Sequence, residues 1–170
     1  MKNLQSNEYP EYFGNYISKV EIDDLIEALE DNLDNFSNFI ENLVPESKYE
    51  FRYQPEKWSI KEIVQHIIDA ERIFAYRALR FARFDATPLP GFEEDDYVSV
   101  SKSDSRTMED LIREFVLVRK STIALFESFT DEMLKNTGIS SGKTSSVRAL
   151  GFVISGHCIH HQQVIKERYL

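Results

Sequence analysis

The sequence predicts an all-α protein, a bundle of four long helices. Apolar residues recur with the three-and-four spacing of an amphipathic helix through four separate segments. Only six glycines and five prolines are spread over 170 residues, which leaves those segments uninterrupted. No stretch alternates apolar and polar residues far enough to argue for a strand. Four helices joined by one medium and two long connections make a helical bundle.

Residues 1–20 carry Tyr9, Tyr12, Phe13 and Tyr16 and are expected to pack over the domain, since disordered segments are poor in aromatics. The first long helix is expected at 22–43, striped by Ile22, Leu25, Ile26, Leu29, Leu33, Phe36 and Ile40 and closed by Pro45. A loop follows, anchored by Phe51, Tyr53 and Trp58 and kept out of a helix by Pro55. Ser59 and Glu62 form a capping box that opens the second helix, 60–84, whose stripe includes Ile63, Ile67, Phe74, Ala78 and Phe81. The connection 85–106 holds Leu89 and Phe92 beside the acidic run Glu93 to Asp96. A segment of that length is more often functional than incidental, and a partial cover over a pocket is expected from it. Thr107 and Asp110 cap the third helix, 107–129, lined by Leu111, Phe115, Val118, Thr122, Leu125 and Phe129. A helical turn at 130–134 and a glycine- and serine-rich loop at 137–145 lead to the fourth helix, 147–167, capped by Ser146.

The length suits one domain spanning 1–170, with enough chain for a real core. A net charge of −9 and the absence of any basic stripe argue against nucleic-acid binding. No apolar run approaches the length of a membrane span, and the N-terminus lacks a signal-peptide pattern, so a cytoplasmic protein is expected. The lone Cys158 excludes an internal disulfide and a cysteine-rich zinc finger. It fits a reducing compartment.

Three of the four histidines lie in Gly156-His157-Cys158-Ile159-His160-His161. His157 and His161 are one turn apart on the face that also carries Leu150, Ile154 and Ile165, so both point inward. Two such imidazoles either share a metal ion or are satisfied by hydrogen bonds within a core or pocket. The fourth, His66, borders the second helix's apolar stripe and joins them only if helices two and four face each other. His160 sits at the stripe's edge, half-exposed or beside the ligands. Glu71 falls inside the second helix's stripe and needs a partner, either Arg119 or Arg148; it is a buried ion pair or a group supporting the site. Cys158 is core packing, a metal ligand or a nucleophile.

Trp58-Ser59-Ile60-Lys61-Glu62-Ile63-Val64-Gln65-His66, followed by Asp69-Ala70-Glu71-Arg72, resembles the second-helix motif of the DinB/YfiT-like family. Gly156 to His161 resembles its last-helix His-x-x-x-His motif, and the likeness covers nearly the whole chain. It implies an antiparallel four-helix bundle that binds a divalent metal, zinc or nickel foremost, through His66, His157 and His161. It also implies a position left open on the metal for water or substrate. Similar proteins include S-transferases that use bacillithiol or mycothiol and others described as metal-dependent hydrolases. The expectation is a metal-dependent enzyme of the thiol-transferase type, with a low-molecular-weight thiol as co-substrate. A hydrolase on the same ligands and a non-catalytic metal-binding stress-response protein are the alternatives. Glu71, His160 and Arg148 are the residues expected to support the ligands. The partner is a small-molecule substrate, with neither nucleic acid nor membrane, and a homodimer is left open.

Overall fold

A computed structural model of the chain describes residues 4–170; Met1 to Asn3 of the N-terminal segment lie outside the described residues. The elements run α1 (Gly14–Ile17), α2 (Leu25–Leu43), α3 (Ile60–Ala82), α4 (Glu94–Val100), α5 (Met108–Glu127), α6 (Asp131–Lys135), β1 (Thr137–Ser140), β2 (Lys143–Ser146) and α7 (Val147–Arg168). Three of the four long helices open where their caps stand. Ser59 and Glu62 close a reciprocal capping box on α3, Thr107 accepts from the Asp110 N–H on α5, and Ser146 accepts from the Ala149 N–H on α7. The fourth departs from expectation. Asp24 accepts from the N–H groups of Ile26 and Glu27, so α2 begins at Leu25 and Ile22 to Asp24 stay outside it.

In the bundle, α2 packs against α5 and α7, and α3 packs against the same two helices. The pairings fix the directions. Phe36 of α2 meets Phe115 of α5 and Asn32 meets Arg119, so those helices run oppositely. His66 near the start of α3 meets His157 and His161 of α7, and Tyr169 reaches back to the Trp58 carbonyl, so that pair is also antiparallel. The other two neighbours run alongside one another. Leu25 and Ala28 of α2 lie by Gly151 and Ser155 of α7, and Phe39 lies by Lys166. On α3, Lys61, Gln65 and Arg72 meet in turn Asp104 and Arg106, which precede α5, and Glu114 within its first two turns.

The long connection follows from these directions. Two parallel neighbours, α3 and α5, can be joined only by a segment that returns the length of a helix, about 34 Å for one of 23 residues. Residues 83–107 make that return. They carry structure of their own, of which the sequence shows no sign: α4 and a 3-10 turn at Ser103–Ser105 lie within them. The loop expected at 137–145 is likewise a small antiparallel hairpin, β1 with β2. Leu89 bridges to its edge through the Leu89 N–H to Ile139 carbonyl bond and the Ser141 N–H to Leu89 carbonyl bond. At Gly138 a Cβ would fall 2.0 Å from the Phe81 ring, so only glycine lets the hairpin lie this close to α3.

The core is two apolar clusters, one built around Phe36, Phe39, Ile63, Ile67 and Phe115, the other around Phe13, Phe74, Phe81, Phe126 and Phe152. A polar layer separates them. Arg119, fully buried, donates from Nε and Nη2 to both carboxylate oxygens of Glu71 at 2.8 and 2.9 Å, and from Nη1 to the Leu29 carbonyl and Asn32 Oδ1. This bidentate pair satisfies the carboxylate whose placement in an apolar stripe demanded a partner. No described helix is long and apolar enough to cross a membrane.

Candidate metal centre

The directions of α3 and α7 bring three histidines to one place. Nε2 of His66 lies 3.0 Å from Nε2 of His157, and Nε2 of His161 lies 3.1 Å from the same atom. All three ligand atoms fall within 4.8 Å of one another. His66 and His157 are buried and His161 half-buried.

The donor set fits a metal ion better than it fits hydrogen bonding. A neutral imidazole nitrogen offers either one N–H or one lone pair, so Nε2 of His157 cannot serve two neighbouring nitrogens well. Nitrogens about 2.0–2.1 Å from a shared ion would be separated by roughly 2.8–3.4 Å, for angles between octahedral and tetrahedral. The two separations here fall in that range. Among the described residues no cysteine or carboxylate joins the cluster, so the protein supplies three donors.

The electrostatics favour neutral rings. Burial pushes His66 down to about 4, partly opposed by Asp95. His157 and His161 are held well below the ordinary histidine value, first by burial and then by the neighbouring imidazoles. A protonated ring has no lone pair to give, so this keeps the three ready as ligands at neutral pH.

Aromatic residues pack around them. The Trp58 ring lies 4.7 Å from His66 and stacks 6.4 Å from His161; Tyr16 meets His157 edge-on at 5.4 Å; Phe74 lies 6.2 Å from His157. Tyr16 reaches this place because its backbone crosses α7 at Gly156, where a Cβ would sit 2.1 Å from the Tyr16 carbonyl oxygen. The three histidines form one end of a cavity of about 430 Å³, whose walls include Tyr12, Phe13, Tyr16, Phe74, Arg77 and Phe92. The connection between α3 and α5 covers it in part, as its length suggested. Phe92 and Glu94 line the cavity, and the Trp58 indole N–H donates to Asp95 at 3.1 Å.

The supporting residues separate. His160 is at the cavity, half-buried beside Tyr16 and His161, its pKa lowered by burial and then by Lys19. Glu71 does not line the cavity; its carboxylate is committed to Arg119. Arg148 is bound to Glu8 at the opposite end of α7 and also lies away from the histidines. Cys158, fully buried and pushed up to about 12, is core packing rather than a ligand or nucleophile. Sequence reasoning missed Arg77 and the hairpin residue Ser141 as cavity residues. For Arg77 a signal existed: 11 residues after His66 is close to three helical turns, which returns it to the same face.

Comparison with known proteins agrees with this architecture. The family model of the DinB superfamily matches residues 28–165. Among solved structures, the chain is similar to YfiT from Bacillus subtilis, described as a probable metal-dependent hydrolase with an unusual four-helix bundle topology. The TM-score is 0.71 at 16% identity, over 84% of this chain and 82% of that one. A search of curated proteins gives no match. With the family model covering most of the bundle and both histidine motifs, the chain belongs to the DinB superfamily.

Proposed function

We propose that His66, His157 and His161 hold one divalent ion, zinc or nickel, and that the chain is an enzyme transferring a low-molecular-weight thiol to a small electrophile. The observation that carries this reading is the convergence of three neutral imidazole nitrogens, from the buried His66 and His157 and the half-buried His161, at the end of a cavity with no fourth His, Cys, Asp or Glu donor among the described residues. A structural zinc would use four protein ligands; three leave room for an exchangeable one. Bound there, a divalent ion supplies Lewis acidity, which favours the deprotonated form of a thiol or a water molecule at neutral pH.

The chain's own residues do the rest. The histidines fix where the nucleophile sits. Tyr16, Phe74 and Trp58 exclude bulk water around it, which strengthens electrostatic interactions inside. The connection bearing Phe92 and Glu94 closes one side, held by the Trp58–Asp95 bond. Thiol transfer is preferred to hydrolysis because, among the described residues, the cavity wall offers a single carboxylate, Glu94, which stands on the covering connection and not on the ligand-bearing helices. The residue following the first α7 histidine is the inert Cys158, where zinc hydrolases with two histidines on a helix place a glutamate. A thiolate is nucleophilic without such a base. Hydrolysis is the second reading, favoured by the description of YfiT.

The test is conjugation of monochlorobimane by untagged, zinc- or nickel-loaded protein, with cysteine, bacillithiol or mycothiol added in turn. Product formation should require both the added thiol and the metal, and should stop on chelation. Turnover of ester or amide substrates with water alone, unchanged by any thiol, would favour the hydrolase instead.

A further inference from the structure

Arg77 is buried in the wall of the histidine cavity, only 5% exposed. Burial pulls its pKa down, yet a guanidinium stays charged at any working pH. The chain's other buried guanidinium, that of Arg119, is neutralised by both oxygens of Glu71. Arg77 has no such partner: among the described residues its hydrogen bonds go from Nη2 to the Pro90 carbonyl at 3.0 Å and Ser141 Oγ at 3.3 Å. Its Nε and Nη1 groups meet no protein acceptor there. A buried cation without a counter-charge is costly, and one turned into an open cavity is completed by an anion that enters it.

The surroundings hold this cation in place. Pro90 belongs to the connection covering the cavity and Ser141 to the turn of the β1–β2 hairpin, and the two are tied together through Leu89. The rings of Phe74 and Phe92 lie 5.8 and 5.9 Å from the guanidinium carbon. The Phe74 ring is also 6.2 Å from the His157 ring, so one phenylalanine side chain spans the distance from the guanidinium to the histidines. His66, Ala70, Phe74 and Arg77 all line the cavity from one face of α3.

We infer that Arg77 is the anion-recognition residue of this cavity, and that its substrate is a small carboxylate whose apolar body lies on Phe74 and Phe92 with its reacting end at the histidines. The inference deepens the reading of the histidine cavity as a substrate site and rests on it. A planar carboxylate suits a guanidinium, and the aromatic walls suit the apolar part between. Glu94, which also lines the cavity, disfavours anions that do not reach Arg77.

The probes are phenylacetate and its neutral isostere phenylacetamide, titrated against the fluorescence of Trp58, the only tryptophan, which lines the same cavity. Both titrations are made on full-length protein freed of metal by chelation, so that the carboxylate cannot bind an ion instead. The acid should bind roughly tenfold or more tightly than the amide, as expected for a charge-assisted pair. Arg77→Gln should abolish that preference and Arg77→Lys should keep part of it, both with zinc stoichiometry unchanged. Equal binding of the two probes, no binding of either, or a preference surviving in Arg77→Gln would overturn the inference. If zinc fails to bind the wild-type protein, the proposed function fails while the acid-over-amide preference remains measurable by itself.

Discussion

Burial keeps water from stabilising an added proton on His66, His157 and, in part, His161, and neighbouring imidazoles further depress the charging of His157 and His161. That has a consequence for the metal-free protein. His66 titrates near 4 in the folded chain and near 6.5 when unfolded. Between those values the unfolded chain binds more protons. The stability His66 contributes is therefore fully present above about 6.5 and is lost as pH falls towards 4, roughly 3 kcal/mol from this one residue. Urea unfolding of chelated protein across that window should show the midpoint falling with pH, and falling less steeply in His66→Gln. An equal slope in the variant would contradict a buried neutral His66. Arg77 shows what one residue does and does not reveal in sequence. Its spacing from His66 places it on the right face of α3, but only the fold shows that no carboxylate answers it.

Among the elements, the long helices were legible because each carries its own boundary chemistry: Ser59, Thr107 and Ser146 mark starts that the structure keeps. The end that slipped, at 22–24, did so because Ile22 continues the apolar stripe while Asp24 beyond it takes the cap. The hairpin was not legible. Its strands are four residues each, rich in serine and threonine, and are held by Leu89 and the close approach of Gly138 to Phe81, contacts that no local pattern encodes. Helix α7 carries two of the three candidate ligands, His157 and His161, and also the crossing point for the N-terminal segment. At Gly156 a methyl group has no room against the Tyr16 backbone, which cannot step aside as a side-chain tip could. Gly156→Ala should destabilise the protein by about 1–3 kcal/mol in urea unfolding, and should loosen Tyr16 from His157, raising the proteolytic sensitivity of the first 20 residues. A variant as stable and protected as the parent would show that the segment does not rest there.

For the whole molecule, the order of helix directions links fold to site. The sequence implied four helices and a histidine on the second that faces the last only if those two pack together. It carried no sign that α3 and α5 run the same way, because direction is set by which stripes meet in space. That parallel pair forces the connection over the bundle, and the connection brings Phe92 and Glu94 to the cavity that α3 and α7 open at their shared end. The convergence of His66 with His157 and His161 was the part of the site most exposed to error, since it needed two helices 91 positions apart in sequence to register within a side chain's length.

The central claim is that these three side chains together hold one ion, and zinc titration calorimetry on chelated, untagged protein tests it most directly. Wild-type protein should take up one zinc ion per chain. His66→Ala should bind more than about a hundredfold more weakly, since one of three ligands is gone, while its circular dichroism stays that of the parent, because the apolar clusters and not the histidines hold the bundle. Zinc bound by His66→Ala with the parent's stoichiometry and affinity would contradict the three-histidine centre.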